Sequence, residues 1–452
     1  SNANRGPIVS SYKTITIDDN VWPHFNRASF DQDKLVSFGD YQYGLYWSAD
    51  KHLILFRRDL RDDAIQKLEF PDYVLTINPK DGHRNTVVGI SPEDGRLHMS
   101  WDHHNNDLRY TKSLAGFVTS PPETINLSHF EPQQPLTDGA PQKVTYPRFF
   151  NDSNDNCRFI YRTGSSGSGD SVLSRYDATT EAWHLTSTCL FSKEGVYGPW
   201  EDSTTRNAYL HDVLFDRSGN LHISWVYREA GKSWASNHDL HYAWSPDDGI
   251  TWRNSEGVQI ADVSKNDPIT LDDPGIVVWP IPVYSWLMNQ CAMTIDSRNR
   301  IHIATFHMPE PFVPDELEHN PPEHVVDRLR AYHYWRDESG IWHTSGPLED
   351  AGRTPEHGRQ RRPNIVVDEN NNVVIYEPTT LGYRCHIAGE AGNFGMWKSV
   401  AMTGAEFGPS DAGKHDRRLL REKGILSFTA EPTRTGDRAS FAVIDVRVGD
   451  LA

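Results

Sequence analysis

No apolar run approaches the roughly 18 residues that a bilayer-crossing helix needs, so no segment of this 452-residue chain reads as a membrane span. Positive charge is also short. The chain has 45 Lys and Arg against 62 Asp and Glu, a formal net charge of −17. Phosphate backbones and anionic bilayers are held by basic surfaces, so neither nucleic acid nor membrane is expected as a partner. Cysteine is scarce: Cys157, Cys189, Cys291 and Cys385 lie far apart, with no CxxC pair. That argues against a zinc ribbon and against a disulfide scaffold. Two disulfides stay open, and the cysteines do not reveal the compartment. No stretch carries the period of a long amphipathic helix. What is abundant is aromatic residues and turn formers: 14 Trp, 18 Tyr, 18 Phe, 32 Gly and 28 Pro. Such a chain can bury a core, and the combination leans toward all-β. Ser1-Asn2-Ala3 reads as a cloning scar. A mature secreted protein without its signal peptide would begin in the same way.

A short pattern recurs along the rest of the chain. A turn of Asp, Asn and Gly leads into an alternating apolar strand with a polar end. Instances fall at residues 48–57, 93–101, 154–162, 216–225, 296–304, 368–376 and 422–428. Leu221, Ile223 and Trp225 alternate with His222 and Ser224, which is strand periodicity. Residues 108–112, 172–176, 240–244 and 331–335 read as third strands. Residues 182–184, 250–252 and 341–343 begin fourth strands. Seven units of four antiparallel strands predict an all-β, seven-bladed β-propeller occupying 4–452 as one domain. Residues 12–17 are expected to close the ring as an outer strand of the last blade. Ser245-Pro-Asp-Asp-Gly-Ile-Thr-Trp252 is one intact Asp-box, a structural turn motif. Residues 254–284 and 308–327 read as excursions within blades, either passive surface loops or walls of a cleft.

In a propeller, the starts of innermost strands and the ends of second strands share one face. The second-strand ends carry Arg57, His103 with His104, Arg162, Arg228, His307 and Glu377. The innermost-strand starts carry His83 with Arg84, Tyr146 with Arg148, Tyr209 with His211, Asn289 with Gln290, Arg361 with Arg362, and His415 with Arg417. A cationic mouth on an acidic protein points to an anionic ligand. Arg binds carboxylate or sulfate through paired bonds, and His and Tyr can move protons. Plainer readings stand beside these. His98, His222 and His302 sit at equivalent positions inside strands and read as packing residues. One of His103 and His104 belongs to the site or merely to a turn. Tyr146, Tyr209 and His211 could be ordinary strand residues, and Arg228 could simply pair with Glu229 or Asp239. The Gly/Ser run after Arg162 is an anion cradle or a flexible turn.

Tyr146-Pro-Arg-Phe-Phe150, Phe159-Ile-Tyr-Arg-Thr-Gly164, Ser174-Arg-Tyr-Asp177, His222-Ile-Ser-Trp-Val-Tyr-Arg-Glu229, Asn237-His-Asp-Leu-His-Tyr242 and Asn289-Gln290 together resemble a known group. These are the BNR-repeat seven-bladed propeller polysaccharide lyases, including ulvan lyases of polysaccharide lyase families 24 and 25 and related rhamnose–glucuronate lyases. The resemblance covers about residues 80–380. It implies catalytic roles for His83, His103, Tyr146 and Arg162, with either histidine as the base. It implies substrate contacts for His104, Arg148, Tyr209, Arg228, Asn289 and Arg362. It implies an acidic, uronate-containing polysaccharide as partner, sulfated or not, and a monomer secreted or held in the periplasm. The chemistry requires no cofactor; a structural calcium or zinc occurs in relatives, and no ligands for one stand out here. Two alternatives remain open: a sialidase-like hydrolase, which would need a catalytic acid at the channel, and a non-catalytic carbohydrate-binding propeller.

Overall fold

The computed structural model describes residues 11–23, 33–137, 139–140, 143–317, 321–350, 362–379, 382–403 and 413–451. Arg361 and the first three residues lie outside them. The strands form seven antiparallel sheets. Blade 1 runs Leu35–Phe38, Tyr41–Trp47, His52–Asp59 and Ile65–Val74. Blade 2 runs Thr86–Ser91, Arg96–Trp101 and Tyr110–Lys112. Blade 3 runs Lys143–Asn151, Cys157–Ser165, Ser168–Asp177 and Ala182–Ser187. Blade 4 has Arg206–Phe215, Leu221–Glu229, Asn237–Ser245 and Thr251–Arg253. Blade 5 has Ala292–Ile295, Ile301–His307, Arg330–Arg336 and Trp342–Ser345. Blade 6 has Asn364–Val367, Val373–Thr379, Gly382–Ala388 and Trp397–Thr403. In blade 7, Ile425–Ala430 and Arg438–Arg447 are followed outward by Tyr12–Val21, which pairs Tyr12 with Val446. The N-terminal strand therefore closes the ring, as expected. A single bridge from His415 to Phe428 marks the innermost position of that blade.

Each seam between blades is filled by its own apolar cluster. Trp47 and Trp101 serve blades 1 and 2, Phe149 and Trp183 blades 2 and 3, and Trp225 and Trp252 blades 3 and 4. Tyr242 and Tyr334, Trp335 and Phe394, Tyr383 and Phe428, and Tyr46 and Phe441 continue round to the closure. A blade buries both faces against neighbours, which is why strands such as Thr86–Ser91 and Arg96–Trp101 are buried at every position.

The Asp and Asn turns have a common mechanism. Asp152, Asp216, Asp296, Asp337 and Asp368 each accept, through Oδ1, the amides two and four residues ahead. That side-chain acceptor fixes the hairpin that starts the next strand. In the Asp-box, Asp247 accepts from Thr251 N at 2.8 Å and Thr251 Oγ1 at 2.6 Å, and buried Trp252 donates to Gly249 O at 3.0 Å. His222 and His302 are packing residues: their Nε2 atoms lie 2.8 Å from Asp216 and Asp296. His98 lies between Ser91 Oγ and Tyr110 OH.

Blade 1 departs from the expected register. The repeat at residues 48–57 lies on the third strand, His52–Asp59, not the second. Leu35–Phe38 and Tyr41–Trp47 precede it in the sheet. Arg57 accordingly lies away from the channel mouth and donates to Pro122 O and Glu123 O. Within residues 254–284, Gln259–Asp262 and Val277–Trp279 widen blade 4. The 308–327 excursion packs Met308, Phe312, Val325 and Val326 against Trp234 and Trp286, forming a firm apolar rim. The four cysteines are unpaired.

Candidate active site

Tyr146 stands at a break in the innermost strand of blade 3. Its φ is 55°, in the left-handed region, and the pairing register slips between Thr145 and Arg148. Such a bulge re-aims a side chain, and a non-glycine residue holds this conformation only where the surroundings impose it. The phenol ring is carried toward His83, with ring centroids 5.5 Å apart, and under the guanidinium of Arg162 at 4.9 Å. Arg162 comes from near the end of the second strand, directly opposite Thr145.

A chain of hydrogen bonds continues from there. Arg162 donates to Asn207 Oδ1 and to the Tyr209 hydroxyl, both at 3.2 Å. Arg228 donates to the same hydroxyl at 3.2 Å, to Asn237 Oδ1 at 2.9 Å and to Asn289 Oδ1 at 2.7 Å. Arg362 donates to Asn289 O at 2.8 Å. The mouth thus gathers three guanidiniums and two phenols, with neutral amides between them. Burial pushes the Tyr146 hydroxyl above the usual phenol range, and a charge on Tyr209 would add to this; the arginines oppose both effects. Burial acts on Tyr209 in the same direction, yet Arg228 and Arg162 together hold it below 10. The Arg162 Nε is buried and has no hydrogen-bond acceptor among the described residues. The Gly/Ser run is a tight hairpin, pairing Ser165 with Ser168, and Ser166 Oγ lies 3.4 Å from Arg228.

On the other side of Tyr146, His83 stacks on His104 with centroids 3.9 Å apart. Asp81 holds both: its Oδ1 is 2.6 Å from His83 Nδ1 and its Oδ2 is 2.5 Å from His104 Nδ1. Burial works against ionisation of Asp81, but the bonds from His104 and His83 hold its carboxyl well below the usual range. Burial lowers His83 below 6.5, Asp81 raises it, and His104 and Arg162 lower it further.

Six of the expected residues therefore meet here: His83, Tyr146, Arg162, Tyr209, Arg228 and Asn289. Arg362 joins through its backbone contact with Asn289, and His104 through the stack. Two do not meet. His103 is buried, its Nε2 accepting the Arg109 amide at 2.8 Å, so the histidine facing His83 is the next one along. The chain leaves the strand at Trp101 and turns through Asp102, whose φ is 66°, which reverses which neighbour faces the mouth. Arg148 is buried farther down the channel, donating to Leu210 O at 2.8 Å and lying 3.8 Å from Asp212. It ties two innermost strands together. Asp81, Asn207 and Asn237 were not singled out from the sequence; the only signal was Asp81-Gly-His83, a carboxylate two residues before a candidate base.

A cavity of about 870 Å³ opens elsewhere, lined by Asp152, Asp216, Asp296, Asp368 and Arg417. These are the hairpins at the opposite channel mouth, where the carboxylates cap turn amides. Donor atoms converge as for a cation at Asp81, His83 and His104 and at His238, Asp239 and His241. In the first group the Nδ1 atoms already bond the carboxylate. In the second, His238 bonds Asp239 and Glu229, and Glu229 is paired with Arg206. Neither arrangement is assigned to a metal.

Residues 41–348 match the model of the BNR repeat-containing family. An ulvan lyase, long isoform, from Pseudoalteromonas sp. (strain PLSV) is 25% identical over 297 residues, which are 57% of this chain and 29% of that protein. A counterpart from Alteromonas sp. (strain LOR) is 24% identical over 316 residues, 60% of this chain and 31% of that protein. The chain thus matches less than a third of the length of these relatives. Among solved structures, polysaccharide lyase Uly1 superposes with a TM-score of 0.68 at 16% identity, covering 98% of this chain and 100% of that one. A PL25 ulvan lyase bound to -[GlcA(1-4)Rha3S]- gives 0.64 at 12% identity, covering 97% and 99%. These structures share the propeller fold.

Proposed function

The chain belongs to the BNR repeat-containing family, and from that footing we propose that it is a polysaccharide lyase. It cleaves the bond at C4 of a glucuronate or iduronate, next to rhamnose in an ulvan-like or arabinogalactan-like glycan, by β-elimination. The observation that carries this reading is the placing of Tyr146 between His83 and Arg162, with Arg228 sharing the Tyr209 hydroxyl with Arg162. A C5 proton beside an ionised carboxylate is scarcely acidic. Arg162, with Arg228, binds that carboxylate and stabilises the charge that builds on it as the proton leaves. Neutral His83 takes the proton. The Tyr146 hydroxyl, kept protonated by burial, delivers a proton to the departing O4. The product carries a C4–C5 double bond.

The relatives' names support a uronate–rhamnose polymer as substrate, and such a polymer meets the enzyme outside the cytoplasm, in the periplasm or beyond the cell. Among the described residues no helix is long and apolar enough to cross a membrane. Hydrolysis would need a carboxylic acid that donates a proton; Asp81, the carboxylate beside the histidines, is held ionised by two imidazoles. The test is incubation with ulvan and with rhamnose–glucuronate glycans. Rising ultraviolet absorbance from an unsaturated uronate is expected. New reducing ends without that absorbance would show hydrolysis, and binding without product a lectin.

A further inference from the structure

We propose that Asp81 is a positioning residue of this site: its one carboxylate grips the Nδ1 atoms of both stacked histidines and turns the basic Nε2 edge of each toward the mouth. The proposal rests on the lyase reading for its consequence, but its geometry stands alone. The two contacts, 2.6 Å to His83 and 2.5 Å to His104, use separate carboxylate oxygens. The rings lie nearly parallel, at 19° and 3.9 Å. Two imidazoles so placed cannot both carry a proton charge without strong repulsion, and one anion beneath them resolves this. Because an ionised carboxylate can only accept, each neutral ring must hold its hydrogen on Nδ1 and its lone pair on Nε2. The tautomer needed for proton abstraction is therefore set before substrate arrives.

The clamp is itself braced. The His83 amide donates to Asp81 Oδ1 at 3.1 Å, which closes the Asp81-Gly-His83 turn. Arg84 Nε lies 3.8 Å from Asp81 Oδ2. Arg84 also bonds Asp102 at 2.8 Å and Asn106 Oδ1 at 3.2 Å, and Asn106 Oδ1 accepts the His104 amide at 2.7 Å. One arginine thus joins the two loops that present the two rings. Among the described residues, the charged and titratable groups facing His83 include Asp81, His104, Arg162 and Tyr146. Of these only Asp81 favours the protonated ring. Its removal therefore lowers the basicity of His83.

The test is Asp81→Asn. The amide has one acceptor and one donor group, so it can satisfy one Nδ1–H and must force the other ring into the opposite tautomer. With glycan substrate, kcat is expected to fall about 100-fold, at the low end of what general base catalysis supplies, with KM nearly unchanged because Asp81 does not reach the sugar. The acid limb of the kcat/KM profile is expected to move to lower pH. A merely structural role would lower activity without moving that limb, and that result overturns the proposal. Nitrogen NMR of the histidine rings in the unliganded protein gives the second readout. In the wild type both His83 and His104 are expected as Nδ1–H tautomers, and an Nε2–H tautomer on either refutes the clamp. That measurement holds even if Asp81→Asn does not fold. It also separates the two ideas: a wild type that makes no unsaturated product sinks the lyase reading, while the ring tautomers still decide the clamp.

Discussion

Replacing Arg162 by Met removes the group proposed to bind the carboxylate and keeps an apolar stem of similar length. The structural cost follows from the contacts. Arg162 gives two hydrogen bonds of 3.2 Å, to Asn207 Oδ1 and to the Tyr209 hydroxyl. Tyr209 keeps its bond from Arg228 at 3.2 Å, so no phenol is stranded. At about 1 kcal/mol per bond the loss is roughly 2 kcal/mol. An unfolding entropy of about 2.1 cal/mol/K per residue, taken over the whole chain, turns that into a Tm shift of only about 2 °C. The catalytic cost is different in kind. Loss of a preorganised donor at a developing oxyanion costs about 100- to 1,000-fold in kcat. R162M is therefore expected to fold, to melt almost where the wild type does, and to form unsaturated uronate at least 100 times more slowly. R162K keeps the charge but not the fork, and should recover only part of the rate. Continuous ultraviolet absorbance on a uronate glycan measures all three proteins, with melting curves alongside. An R162M rate within threefold of wild type would refute the assignment, because a guanidinium that stabilises the developing charge cannot be removed without slowing that step.

Tyr146→Phe keeps the ring under Arg162, removes the proton donor, and should cost about 100-fold or more in kcat; a substrate with a leaving group that needs no proton should restore most of the rate. His103→Ala and His104→Ala separate adjacent residues: the first should lower Tm by a few degrees with little change in kcat/KM, the second should cut kcat/KM while leaving Tm nearly unchanged. Stability should fall on acidification. Burial, chiefly, pushes His211 and His241 down to about 3, so the unfolded chain binds protons below 6.5 that the folded chain refuses. Stability is complete above 6.5 and drops by about 1.4 kcal/mol per such histidine for each pH unit below it, down to about 3; denaturant melts at pH 7, 6 and 5 measure this, and a flat response would show that these rings titrate normally.

The blades were legible because two local signals coincide. Strand alternation marks the buried face, and an Asp or Asn turn marks where each hairpin begins. Blade 1 differs by one strand because its turn-and-strand pattern joins the second and third strands, and the innermost strand, Leu35–Phe38, is too short to show the alternation. At the site, Tyr146, Arg162, Tyr209, Arg228 and Asn289 could be gathered by topology alone, since strand starts and strand ends share a face. Choosing between His103 and His104, or separating Tyr146 from Arg148, needs backbone angles. Strand parity predicts facing only while the strand lasts, and φ values of 66° at Asp102 and 55° at Tyr146 end it. Asp81 was hard to read for a related reason: it lies in the loop between Ile65–Val74 and Thr86–Ser91, and only the folded loop brings it against both imidazoles.

The acidity of the chain looks unsuited to a polyanionic substrate until the charges are placed. Asp152, Asp216, Asp296 and Asp368 cap turns at the opposite channel mouth. Asp212 and Asp33 lie within the channel beside Arg417 and Arg148. Near the proposed site the guanidiniums of Arg162 and Arg228 meet amide and hydroxyl oxygens instead of carboxylates. A carboxylate in those places would neutralise them. An amide holds them in position and leaves the charge for a ligand. In the proposed reading Asn207, Asn237 and Asn289 serve anion recognition by orienting Arg162 and Arg228, and a net charge of −17 coexists with a cationic mouth because these two guanidiniums are held by neutral acceptors.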